Sequence, residues 1–308
     1  MKKFITIFII MINTLPVWGK TEDPTTGVFL EISPGARAIS LGDAYTASGE
    51  DPTMVFYNPA GIAERSFPEA TLTRYNFFNG MEYNFIAGEV PLGRYGHFGG
   101  AFTFIRLSTA ARDIFGNEVG TIRPKDYVLT LTYAKKLLDN FNIGGSFKYG
   151  REDLIDFKQS LIAFDMGAMY KIPIGMNRDI KLAFSVRNLG RVLPAGDDND
   201  PLPLVATFGF MAQPIQQIKI YGEGYLPEHA DAEVGAGLEY GFNDFIFVRA
   251  GFRWSPDMSG TEIFRGGFGM KIGEFGEIDY AYRPREDFGV EHRFSFTMRT
   301  GQNIGFQY

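Results

Sequence analysis

GARAISLGDAYTASGEDPTMVFYNPAGIA, residues 35–63, is the stretch on which the reading of this chain turns. Small residues dominate it, from Gly35-Ala36 through Gly42, Ala44, Ala47 and Gly49 to Ala60-Gly61. Small side chains let backbone approach other backbone closely, and they also leave little apolar volume for a core. The block therefore needs walls around it. Its last turn, Asn58-Pro59-Ala60-Gly61, has the chemistry of a short helical start, with Asn58 as N-cap and Pro59 at the first helical position.

From about Glu69 the pattern changes to a period of two and keeps it to the end. Fourteen segments read as strands: 69–79, 81–92, 94–107, 125–137, 139–151, 158–171, 179–190, 202–214, 216–226, 229–241, 243–254, 260–272, 274–284 and 289–300. Most are longer than the five or six residues, roughly, of a soluble strand, and match the ~9–11 that a tilted strand needs to cross a bilayer. The faces separate cleanly. Ile180, Leu182, Phe184 and Val186 oppose Lys181, Ala183, Ser185 and Arg187; Phe294, Phe296 and Met298 oppose Arg293, Ser295, Thr297 and Arg299. One apolar and one polar face fits lipid outside and a polar lumen within. Prolines after residue 67 fall at strand ends or in connections, as the missing N–H requires. The longer connections, about 108–124, 152–157, 191–201 and 255–259, follow odd-numbered segments. Very short ones mostly follow even-numbered segments, the alternation of outer-membrane barrels. Two connections break this rule, a long one near 172–178 and a short one at Gly80. Tyr75, Tyr83, Tyr95, Tyr133, Tyr225, Tyr240, Trp254 and Tyr282, near strand ends, are candidates for interfacial girdles.

The expected fold class is all-β: a 14-stranded antiparallel transmembrane outer-membrane β-barrel with an N-terminal hatch in its lumen. Lys2 and Lys3 precede an apolar run, Phe4–Ile12, with Val17 and Gly19 suiting a signal-peptidase site. The organisation reads as signal peptide 1–19, hatch 20–68, barrel 69–300 and tail 301–308. It implies export to the outer membrane of a diderm bacterium, surrounded by outer-membrane lipid. With no cysteine there is no disulfide framework, and a net charge of −6 argues against nucleic acid.

No catalytic set, metal site or cofactor is expected. His97, His229 and His292 are far apart and match no hydrolase or metal spacing; a lone pairing of His97 with a neighbouring serine is the weak exception. Gly196-Asp197-Asp198-Asn199-Asp200 lacks a calcium-loop spacing. Gly266-Gly267 and Gly269 sit in a strand and read as bends in the wall. If the polar faces look inward, Arg249, Arg253, Arg265, Arg293 and Arg299, with Lys271 and Asp279, form a lumenal charge set that pairs internally and with Glu50 and Asp51.

The shared elements Gly35-Ala36-Arg37-Ala38, Leu41-Gly42 with Ala44, Asp51, and Asn58-Pro59-Ala60-Gly61 resemble the N-terminal signature of the PorV/PorQ family of outer-membrane proteins, itself related to the FadL transporters. The resemblance implies a fourteen-stranded barrel with a lumenal hatch in which Asn58, Pro59, Ala60 and Gly61 meet the wall, with a possible ligand or gating role. It implies a part in protein secretion or surface attachment of the type IX kind, with secreted cargo or secretion-machinery subunits as partners. The alternative it carries is a FadL-like transporter or binder of hydrophobic small molecules such as fatty acids. A structural barrel without cargo is a third reading. The largest connection, about seventeen residues, is too short for FadL's external helical hairpins. Val192, Leu193 and Met258 are the modest candidates for apolar loop tips that a protein partner would grip.

Overall fold

The computed structural model describes residues 25–76, 80–112, 115, 117–154, 157–175, 178–193, 201–243, 245–256, 263–285 and 289–300. The expected signal peptide, the tail, the acidic run 196–200 and Met258 lie outside the described residues. Among those described, no helix is long and apolar enough to cross a membrane.

The alternating segments form one closed antiparallel barrel of fourteen strands. In chain order these are β1 (Glu69–Asn76), β2 (Glu82–Pro91) and β3 (His97–Arg106), then, past a side hairpin, β6 (Lys125–Leu138), β7 (Phe141–Leu154), β8 (Phe157–Gly175) and β9 (Arg178–Leu193). They continue as β10 (Val205–Ile215), β11 (Ile218–Pro227), β12 (Glu233–Gly241), β13 (Ile246–Trp254), β14 (Phe264–Ile272), β15 (Gly276–Arg285) and β16 (Gly289–Arg299). β1 pairs with both β2 and β16, so no strand edge is left to face lipid.

Each expected strand is present, and the differences lie in the connections. The stretch 108–124 is not plain loop: β4 (Thr109–Arg112) and β5 (Glu118–Ile122) pair as a separate two-stranded hairpin. β7, β8 and β9 run to 14, 19 and 16 residues, well past the length of a crossing, so their pairing rises beyond the membrane as a ribbon. That extension replaces the longer connections expected at 152–157 and 172–178 with strand and removes the second as an exception.

The outward face is apolar. Leu72, Phe102, Leu131, Phe147, Phe210, Val248, Phe268 and Phe296 are among its exposed side chains. A belt of this kind needs hydrocarbon against it. Tyr95, Tyr133, Tyr240, Trp254 and Tyr282 also face outward, but Tyr75, Tyr83 and Tyr225 do not. Those three point into the lumen and are buried, so position near a strand end was a poor guide to face. Val192 is likewise buried rather than exposed at a loop tip. A bulge explains it: Arg187 and Asn188 together face Asp165, with Asn188 at φ 65, and the extra residue flips every side chain beyond it.

Replacing Leu131 with arginine should cost the barrel about 2–4 kcal/mol, the penalty of a cation on the lipid face near mid-bilayer. Equilibrium urea unfolding in lipid vesicles measures it, with the inward Thr132→Ser as control.

Candidate functional site

Residues 25–68 run through the lumen. The chain enters at the loop end, where Thr26 N–H donates to Pro201 O at 3.1 Å. It leaves at the turn end, where Thr300 N–H donates to Pro68 O. Between these points lie a 3₁₀ turn (Val28–Glu31), α1 (Ala36–Ser40), α2 (Met54–Tyr57) and a second 3₁₀ turn (Pro59–Glu64). Such short pieces leave many backbone groups unpaired, and the wall supplies partners. Ser295 Oγ accepts from Ala36 N–H at 2.8 Å, and Glu223 Oε2 accepts from Tyr45 and Thr46 N–H at 2.9 and 2.8 Å. Lys181 Nζ donates to Ser48 O at 2.8 Å and Ser185 Oγ to Tyr57 O at 3.0 Å. At the turn end His97 Nε2 meets Arg65 O at 2.9 Å. That anchoring role is the structure's answer to the idea that His97 might serve a serine.

The Asn58-Pro59-Ala60-Gly61 turn is fully buried. Asn58 Oδ1 accepts from Ala60 N–H at 3.0 Å, the cap read from the sequence. Its Nδ2 donates to Thr46 O at 3.0 Å and to Ala168 O on β8 at 3.3 Å, tying the turn to the plug and to the wall. The wall has room because it lacks side chains there. A Cβ on Gly167 would lie 1.9 Å from Asn58 Oδ1, and one on Gly144 would lie 2.5 Å from the Pro59 carbonyl carbon. On the opposite wall Gly237 and Gly251 receive the Leu41–Gly42 turn in the same manner. Gly267 is part of that seat, against Ser40, rather than a bend in the wall.

The arginines on the polar faces point inward and are paired. Arg249 meets Glu239 at 2.6 Å, Asp279 at 2.5 Å and Glu277 at 3.3 Å. Arg299 reaches Glu277 at 3.1 Å and Glu69 at 3.3 Å. Arg253 bonds Glu233 and lies 3.3 Å from Asp43; Arg265 bonds Asp43; Arg293 bonds Glu291 and Ser33 O. Lys271 lies over the Phe247 ring, 5.0 Å from its centre. The acidic partners from the plug differ from those expected. Glu50 bonds Arg37 of the plug itself and Lys219, and Asp51 bonds Tyr45 and Thr53. Asp43, in the signature but not singled out, is the plug acid that meets the wall arginines. Arg37, named in the signature but given no partner there, bonds Glu239 on the wall at 2.8 Å.

Charge sets the plug's protonation. Burial alone would raise the Glu64 carboxyl, but Lys181 and Lys171 hold it down at about 2. Burial likewise works against Glu50 and Asp43, and Arg37 with Lys219, and Arg265 with Arg253, hold each well below the usual carboxylate range.

Between plug and wall lies a mostly apolar cavity of about 20 Å³, bordered by Phe29, Leu30 and Val55 on one side and Tyr83, Phe85 and Ala101 on the other, with Thr103, Thr130 and Lys148 as its polar lining. That is room for about one water. On the outer face of the adjoining wall, nearer the turn end, is a lipid-facing notch of about 460 Å³, where Ala70, Gly88 and Gly100 sit between Val90, Phe98 and Met298.

A closed barrel with an apolar belt and an ion-paired internal plug defines a plugged, outer-membrane type of barrel. No protein-family model and no curated protein sequence matches the chain. Solved structures do match its fold. The Ralstonia pickettii toluene transporter TbuX superposes with a TM-score of 0.58 at 15% identity, over 87% of this chain and 97% of that one. The Pseudomonas putida toluene transporter TodX gives 0.58 at 12% identity, over 92% and 100%. A Pseudomonas aeruginosa FadL homologue gives 0.58 at 14%, over 91% and 98%. The FadL-like fold is therefore shared, while the narrower PorV/PorQ likeness rests on the signature alone. None of these neighbours is named for protein secretion, so the secretion expectation finds no support among them.

Gly167→Ala should unseat the turn at a cost of about 1–3 kcal/mol, the usual range for overpacking. Thermal melts in detergent, together with protease cuts mapped to residues 25–68, report it. Acid gives an independent check. Carboxyls whose pKa is depressed on folding contribute stability that is present above their unfolded value, about 4, and is lost as pH falls through the folded one. Pepsin should therefore spare 25–68 at pH ~4 and cut it near pH ~2, where Glu64 becomes protonated.

Proposed function

We propose that the protein carries hydrophobic small molecules across the outer membrane of a diderm bacterium. It is non-enzymatic, and residues 20–68 act as a hatch. The observation that carries this reading is the small-residue wall at β2–β3. Ala87 pairs with Ala101, Gly88 with Gly100 and Glu89 with Gly99. Gly99 backs directly onto Val55 and Ile62 of the plug, within 3.2 Å of where a Cβ would lie. Along these two strands the inner cavity, at Phe85 and Ala101, and the lipid-facing notch, at Gly88–Val90 and Phe98–Gly100, are neighbours on opposite faces, the notch nearer the turn end. A cavity of about 20 Å³ is far too small for an organic ligand, so passage requires the plug to shift. The Asn58-Pro59-Ala60-Gly61 turn then serves as its hinge point on β7 and β8. Names of the structural neighbours, toluene transporters and a FadL homologue, agree with this class of cargo. For secretion-machinery subunits or exported cargo as partners, Val192 is buried, and Phe115 on the β4–β5 hairpin is the exposed apolar tip that such a partner would grip.

The native chain has no cysteine, so a disulfide lock is clean. In proteoliposomes, entry of an apolar fluorescent probe should be abolished by oxidised Val55→Cys/Gly99→Cys and restored by reductant. Equal entry with the lock closed would reject the hatch. No entry in the native protein, with an exported protein co-purifying in stoichiometric amount, would favour the secretion reading instead.

A further inference from the structure

At the loop end of the lumen is a second cavity, of about 180 Å³ and quite unlike the apolar one. Arg253, Arg283, Arg285 and Arg293 line it, with Asp43 and Glu233. Arg285 is the last residue of β15, so the cavity lies at the mouth rather than at mid-barrel. Arg265 stands behind Asp43 with its side chain entirely out of solvent.

The ion pairing here is incomplete. Asp43 accepts from Arg265 Nη1 and lies 3.3 Å from Arg253. Glu233 is taken by Arg253, and Glu291 by Arg293. Glu31 also borders the cavity and accepts from Tyr225 O–H at 2.9 Å. Among the described residues, five guanidiniums here meet four carboxylates, Asp43, Glu233, Glu291 and Glu31, with Arg285 lying 3.7 Å from Glu291. Among these residues Nε and Nη2 of Arg265 and Nε of Arg283 are buried donors without an acceptor, and Glu291 Oε2 is a buried oxygen without a donor. Buried donors normally find an acceptor, and a guanidinium's fork of N–H groups matches the oxygens of a carboxylate or phosphate.

Of the two carboxylates the plug contributes to this cradle, Asp43 and Glu31, Asp43 is the one that meets the wall arginines Arg265 and Arg253. It sits at φ 58, a left-handed conformation unusual for a residue other than glycine, directly after Gly42 at φ 73. The plug is therefore held at this point by an aspartate turned into a cluster of arginines, next to a cavity with spare donors.

We propose that the arginine cavity is a binding site for an oxyanion, either free phosphate or the anionic head group of an amphiphile, which competes with the Asp43 carboxylate and so loosens the plug. The incoming oxygens take the idle donor of Arg283 and share the guanidinium of Arg253, which then holds Asp43 less firmly. The head-group form of this proposal rests on the passage of hydrophobic molecules argued above. Binding of the free ion does not, and it is measured without any transport.

The experiment is calorimetric titration of the full chain in a nonionic detergent with inorganic phosphate, and separately with decanoate and its uncharged counterpart decanol. Asp43→Asn, which removes the internal competitor, should tighten phosphate binding. Arg283→Gln, which touches no plug carboxylate, should weaken it about tenfold to a hundredfold, as loss of a charge-assisted hydrogen bond implies. Decanoate that displaces phosphate, with decanol inert, identifies the head group as the source. Phosphate that binds while decanoate does not identifies the free ion. The proposal is overturned if neither anion binds the native chain or Asp43→Asn, or if Arg283→Gln binds as tightly as the native chain. It is also overturned if Asp43→Asn binds no more tightly than the native chain.

Discussion

Irregular backbone cannot face hydrocarbon, because nothing there satisfies its N–H and C=O groups. The plug obeys this rule by being enclosed. Its helices are four or five residues long, too short to satisfy themselves, and the wall completes them through Ser295, Glu223, Lys181, Ser185 and His97. The barrel's inward charges in turn find partners in the plug, Glu239 in Arg37 and Arg265 in Asp43. Each part supplies what the other lacks, and neither reads as a stable unit alone.

Charge follows the same logic. Removing one member of a buried ion pair is strongly destabilising, on the order of 3–5 kcal/mol, since the partner is left uncompensated. The Arg37–Glu239–Arg249 chain links plug to wall and wall strand to wall strand, so it resists partial opening. The turn end is densely paired: Arg299 bridges Glu69 and Glu277, and Lys171 meets Glu64 at 2.9 Å. Among the described residues, buried polar atoms without a hydrogen-bond partner occur at both ends, Glu69 Oε2 and both Glu89 carboxylate oxygens near the turns and the Arg265 and Arg283 donors near the mouth.

Small residues do two different jobs. In the wall, Gly144, Gly167, Gly237 and Gly251 make seats for plug backbone. On the lipid side, Ala70, Gly88 and Gly100 thin the surface into a notch. From the sequence alone these glycines look alike, and Gly266-Gly267 read as a bend for want of knowledge of what lay opposite. The same gap misplaced Tyr75, Tyr83 and Tyr225, whose inward facing depends on strand register and not on distance from a strand end.

What the sequence determined by itself is local. A period of two, proline at strand ends, and the Asn58-Pro59 cap depend on residues within a few positions of each other, so fourteen strands and the turn could be read directly. Tertiary structure alone decided which charges meet. Arg37 lies 202 positions from Glu239, and Asp43 lies 222 from Arg265, and no periodicity spans such distances. The bulge at Arg187–Asn188, which turned Val192 inward, needed the pairing of β8 with β9 to be seen. Closure of the barrel brings β16 against β1 and sets the circumference into which the plug must fit. The site is made by that closure, which is why its residues were visible one by one in the chain while their partners were not.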